Sequence, residues 1–175
     1  MIVIINSGPL MALAKLGLID LLPRLYGQVS FPTAVFSEVV LRGRERGYSD
    51  AFVVQLAVQQ GKLRIVKVNE GDLPSDIQNL PFDAGEKQSL YIAVREKADL
   101  VLFDDEKVRE EGKARGLNIR GTLGVIVQAY HAGLLKLNEV ESIIEAIITR
   151  EDIWISEELC RHVLERLKMT DKGAR

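Results

Sequence analysis

Five short apolar runs, each leading into a stretch of helical periodicity, constrain this chain more than any other feature. The first, Ile2–Ile5, contains only Ile and Val, which marks a strand buried on both faces. Gln28–Phe31, Leu63–Val66, Leu100–Phe103 and Leu117–Ile119 follow it. Strands that alternate with helices imply a parallel sheet covered on both faces. We therefore expect an α/β fold of three layers, α/β/α, around a central, mainly parallel five-stranded sheet.

The helical segments carry their own start and stop signals. Pro9–Leu16 reads as a helix with Ser7 as its cap and Gly17 as its stop. Pro32 and Thr33 open a helix with Val35, Phe36, Val39 and Val40 on one side, and Arg42–Tyr48 reads as its end plus an exposed loop. Ser49 or Asp50 caps a helix to about Gln60, and Asn69–Pro81 reads as a loop. Helices are expected over Asp83–Lys97, Asp105–Arg115 and Gly121–Ala132. Asn138 with Glu141, and Ser156 before Glu157, read as caps of two more. No internal repeat or linker divides the chain, so residues 1–168 read as one domain and 169–175 as a flexible tail.

Composition narrows the setting. The chain has 175 residues and one cysteine, Cys160, so no intrachain disulfide can form. No apolar run approaches the ~20 residues of a membrane span, and no targeting segment is read at the start. A cytoplasmic protein is expected. The formal net charge of −2 argues against a protein that coats nucleic acid through bulk charge. A local basic rim around an acidic site remains compatible with it. Arg42, Arg44 and Arg46 form one basic stretch, and Lys107, Arg109, Lys113 and Arg115 another. Solvated surface is the default for both, with phosphate contact as the sharper alternative.

Four acidic positions could carry chemistry. Asp104 and Asp105 directly follow the strand LVLF, and open parallel sheets bind ligands outside the carboxyl ends of their strands. Glu86 lies in the first turn of the helix opened by FDAGE, and Glu38 lies in the helix after the second strand. Singly, each has a plain structural reading. Asp83 and Glu86 make a capping-box variant, Asp105 can cap the next helix, and Glu38 can be a solvated helix residue. Taken together, and with Asn6 at the end of the first strand, they read as an oxygen-donor set for a hard cation such as Mg²⁺ or Mn²⁺. His131 and His162 have no partner at metal-ligand spacing, and Cys160 reads as core.

The run IINSGPLMALAKLGLIDLLPRLYGQVSFPTAVFSEV resembles the start of a prokaryotic PIN-like family related to VapC-type toxins. FDAGEKQSLYIA, LVLFDDEKVR and GLNIRGTLGVIVQAYHAGLL match the same family in order, so the resemblance reaches to about Leu167. It implies a sheet with the first strand at its centre. It implies Asn6, Glu38, Glu86 and Asp104 as metal ligands, with Asp105 as an alternative ligand and Ser7 and Thr122 as polar supports. Glu38, Glu86 and Asp104 would be the catalytic set.

Asn6 is a departure, because most PIN nucleases carry aspartate there, and an amide oxygen binds a cation without adding charge. The resemblance implies a Mg²⁺- or Mn²⁺-dependent ribonuclease acting on RNA, with a small antitoxin-like partner. It also implies a homodimer, for which Phe52, Leu56 and Val58 offer an apolar face. Two other readings stand beside it. One is a PIN-like module with a degraded site that binds RNA or protein. The other is a receiver-like domain, which fits poorly because its acid pair would belong where Asn6 and Ser7 stand.

Overall fold

Residues 1–173 are described by a computed structural model. They form two compact units, the first Met1–Gly121 and the second starting at Thr122. The first unit holds the sheet. Strands β1 (Val3–Ile5), β2 (Val29–Pro32), β3 (Leu63–Val66), β4 (Leu100–Leu102) and β5 (Ile119–Arg120) lie in the order β3-β2-β1-β4-β5. Every pairing is parallel, as the continuous apolar runs require. The expected neighbours β1 and β4 pair in the register Val3 to Leu100, Ile4 to Val101 and Ile5 to Leu102.

Side chains alternate across the sheet. Ile4, Val101 and Phe103 join one buried cluster with Leu90, Ile92, Ala93 and Val108. The last four come from helices α7 (Ala84–Arg95) and α8 (Glu106–Ala114), which therefore cover that side. Ile5 and Leu102, pointing the other way, are as fully buried. A sheet buried on both sides cannot slip its register without exposing a whole row of apolar groups.

Local differences from the sequence reading have identifiable causes. Helix α1 begins at Ser7 rather than Pro9 and runs to Lys15, with Asn6 at the cap position and no side-chain cap bond, and α2 (Leu21–Tyr26) follows it. Proline is tolerated in the first turn because its missing N–H needs no partner there. Strand β5 starts at Ile119 rather than Leu117. Gly116, at φ +78°, terminates α8, and the Leu117 N–H is held by Gly112 O at 3.0 Å, so pairing begins only with the Asn118 carbonyl. The loop expected over 69–81 contains a short helix α6 (Ser75–Gln78), whose end leads into α7.

The largest departure follows β2. Helix α3 (Thr33–Phe36) continues as a π-helical turn over Ser37–Arg42 and then as a helical turn α4 (Gly43–Glu45). The stretch expected as helix end plus loop is therefore helical through Glu45. Single π-helical turns are rare and frequently accompany function.

The second unit holds α9 (Thr122–His131), α10 (Leu137–Thr149) and α11 (Glu157–Gly173), and α10 packs against both others. Helix α10 is capped at Lys136, two residues before the expected Asn138, and Glu139 rather than Glu141 reaches back, accepting the Lys136 N–H at 2.7 Å. Ser156 accepts the Leu159 N–H as the expected cap of α11. Of the tail expected over 169–175, residues 169–173 continue α11, and 174 and 175 lie outside the described residues.

Packing is tight where α4 meets α5 (Ser49–Gln59): a Cβ built on Gly43 would stand 2.8 Å from the Ala51 Cβ. Neither atom can swing away on a flexible chain, so Gly43→Ala should destabilise the fold by about 1–3 kcal/mol. Gly71→Ala, at a position with nothing within 4 Å, should change stability by less than about 0.5 kcal/mol. Equal urea midpoints for the two variants would contradict this packing.

Candidate metal centre at the carboxyl ends of β1 and β4

The ends of the two central strands leave the sheet together. The Asn6 N–H donates to the Leu102 carbonyl at 3.1 Å, continuing the ladder by one residue. Asn6 and Asp104 therefore come off neighbouring strand ends. Asn6 is buried, and Asp104 is half-buried and stands against the start of α1, its Cβ 3.8 Å from the position a Cβ on Gly8 would take. Asp105, one residue on, caps α8 by accepting the Val108 N–H at 3.0 Å.

Glu38 and Glu86 reach the same region from two helices. The expected capping box is formed: Asp83 accepts the Glu86 N–H at 2.8 Å, and the Glu86 carboxylate accepts the Asp83 N–H at 3.0 Å. Helix α7 is locked to α3 by Gln88, whose side-chain oxygen accepts the Ala34 N–H at 3.0 Å. This clamp sets Glu38 over the first turn of α7. A Cβ on Gly85 would stand 3.3 Å from both Glu38 Oε2 and Asp83 Oδ1, so the glycine lets the carboxylate approach the helix start. The positive end of α7 favours an anion there.

Polar contacts link the rest. The Ser7 hydroxyl donates to the Glu38 carboxylate. Ser89 donates to the Asn6 side-chain oxygen at 3.2 Å. Ser89 was not singled out from sequence, although it stands three residues after Glu86 on α7, and that spacing puts both on one face. Asp83, read only as a cap, also raises the pKa of both glutamates. Thr122, expected as a support, is buried as the first residue of α9 in the second unit.

The electrostatics are those of crowded acids. Burial pushes the Glu38 carboxyl above its usual range, and the Asp83 charge adds to this, while Ser7 and Arg42 pull it back. Burial also raises Glu86, with Asp83, Asp105 and Glu38 adding to the effect against the backbone bond from Asp83. Five oxygen donors without thiolate or imidazole suit a hard cation. As placed, however, no three His, Cys, Asp or Glu side chains among the described residues are grouped closely enough to hold a metal ion. Two of the carboxylates are engaged with backbone N–H groups at helix starts, and the acids repel one another.

The raised Glu38 pKa has a consequence for stability. A carboxyl raised in the folded state contributes stability that is present in acid and lost as pH rises through the folded value. Glu38→Gln removes that loss and keeps an acceptor for Ser7. In EDTA at pH 8 the variant should melt higher than the parent chain, and the difference should vanish near pH 4. Added Mn²⁺ should stabilise the parent and not the variant. A variant that melts lower than the parent at pH 8 in EDTA would contradict this charge balance.

A PIN domain family model matches residues 2–169, nearly the whole chain. The fold is similar to that of a PilT N-terminus domain protein from the hyperthermophilic archaeon Sulfolobus solfataricus P2, with a TM-score of 0.52 at 16% identity. That match covers 74% of this chain and 93% of the other. No curated protein matches the sequence significantly. The PIN domain is generally a nuclease fold and is typically dependent on divalent metal. The chain belongs to the PIN domain family.

Proposed function

We propose that this protein is a metal-dependent ribonuclease that hydrolyses RNA phosphodiesters at the carboxyl ends of β1 and β4. The observation that carries the reading is the meeting of acids from distant parts of the chain. Glu86 feels the charges of both Glu38 and Asp105, and Asp104 leaves the strand next to the one that ends in Asn6. Family membership supports a nuclease and RNA as the partner.

In this reading Glu38, Glu86 and Asp104 hold Mg²⁺ or Mn²⁺, with the Asn6 amide oxygen as a neutral fourth donor and Asp105 as an alternative. Bound there, the cation supplies an activated water and charge stabilisation for the displacement. Ser7 holds the Glu38 carboxylate in place, and Ser89 donates to the Asn6 amide oxygen, which keeps a second lone pair for a cation. Thr122 is kept as a support on the strength of the resemblance. Ordering the donors around one ion would require Glu86 and Asp105 to leave their backbone N–H partners.

The reading extends to a cytoplasmic toxin held in check by a small antitoxin, and to a homodimer through α5. Phe52 and Leu56 are about half exposed there, and Val58 is half-buried. No helix among the described residues is long and apolar enough to cross a membrane. A second reading, a PIN-like module without catalysis, is favoured by Asn6, which brings one charge fewer to the cation.

Asn6→Asp separates the two. A unit charge pair 4 Å apart is worth about 4 kcal/mol at an effective dielectric of 20, and repulsion from the other acids cancels much of it. Asn6→Asp should raise Mn²⁺-dependent cleavage of single-stranded RNA by about tenfold, equivalent to a net gain of about 1.4 kcal/mol. Asp104→Asn in the same background should abolish it. If neither substitution changes cleavage, the acids are not a working metal centre and the module reading replaces the nuclease.

A further inference from the structure

A nuclease needs something that seats the phosphodiester, and the structure sorts the two basic stretches of this chain. Arg115 donates to Asp76 and to Glu111, each at 2.7 Å, and is held by those pairs. Arg44 lies over the Phe52 ring, 5.5 Å from its centroid. Lys107 and Lys113 are exposed on α8. Arg109 differs from all of these. It is half-buried one turn into α8, and its guanidinium turns back toward the end of β4. A Cβ on Gly121 would stand 2.9 Å from Arg109 Nη1 and 2.8 Å from Asp104 Oδ1. The arginine and the carboxylate thus share one corner, kept open by a residue without a side chain.

The Arg109 head is held beside the end of β4, where a phosphate approaching Asp104 would meet its donors. Its planar fork matches the two non-bridging oxygens of a phosphodiester, which a lysine ammonium cannot do. We infer that Arg109 is the phosphodiester anchor of the site, binding the phosphate beside Asp104 in the corner left by Gly121. The inference rests on the nuclease reading and assigns to Arg109 a substrate contact that needs no metal. Cation ligands and anchor are then neighbours, so that one phosphate meets both.

The test is binding of a short fluorescein-labelled single-stranded RNA in EDTA, read by anisotropy over a range of salt. Arg109→Ala should weaken binding about tenfold or more and lower the slope of log affinity against log salt by about one. Arg109→Lys should keep the slope and recover only part of the affinity. Gly121→Ala should follow Arg109→Ala, because its methyl presses hardest on the ends of the Asp104 and Arg109 side chains and meets the Phe103 carbonyl oxygen only at 3.4 Å. Lys113→Ala, which removes the same charge from an exposed position of α8, should have a much smaller effect. If Arg109→Ala and Lys113→Ala weaken binding equally, RNA is held by bulk charge and the anchor is overturned while the nuclease reading stands. A parent chain that binds no RNA overturns both.

Discussion

The parallel pairing of β1 with β4 is the constraint from which the rest of the first unit follows. Ile5 lies opposite Leu102, and the ladder ends one residue later with the Asn6 N–H on the Leu102 carbonyl. Both strands must then turn away in the same direction, which delivers Asn6 and Asp104 to one edge. The pairing is held by side chains buried on both faces, each worth roughly 1.5–3 kcal/mol of transfer free energy. The polar site rests on an apolar frame that cannot shift by a residue.

That frame is strong enough to impose an unfavourable charge arrangement. Glu38, Asp83, Glu86 and Asp105 face one another with Arg42 as the countercharge near Glu38. Helix starts absorb part of the repulsion, through the Asp83–Glu86 capping box and the Asp105 cap. Burial, with the remaining repulsion added to it, pushes both glutamates upward. A site with surplus negative charge and only oxygen donors is the electrostatic complement of a divalent cation. In the reading proposed above, a bound ion would draw these donors together against their mutual repulsion.

Much of the fold was legible in the sequence because strand and helix periodicities differ so clearly. Ile2–Ile5 and Leu100–Phe103 have no polar residue to confuse their assignment, and Asp83 with Glu86 announces the start of α7. The candidate site was read as a set of residue types, with Glu86, Asp104 and Asp105 where a loop or strand hands over to a helix and Glu38 inside one. What remained hidden depends on three-dimensional detail. The π-helical turn over Ser37–Arg42 leaves no mark in composition. The start of β5 depended on how Gly116 closes α8. Ser89 was hidden because a lone serine on a helix face means nothing until its neighbour at the end of β1 is known. The choice of Arg109 among its basic neighbours required knowing that Arg115 is already held by Asp76 and Glu111.

The central claim is that these acids form one cation site. Calorimetric titration with Mn²⁺ tests it without reference to catalysis. The account predicts saturable binding to the parent chain, and loss of that binding in each of Glu38→Gln, Glu86→Gln and Asp104→Asn, with folding unchanged by circular dichroism. Saturable binding that survives all three substitutions, or its absence from the folded parent chain at neutral pH, would contradict it.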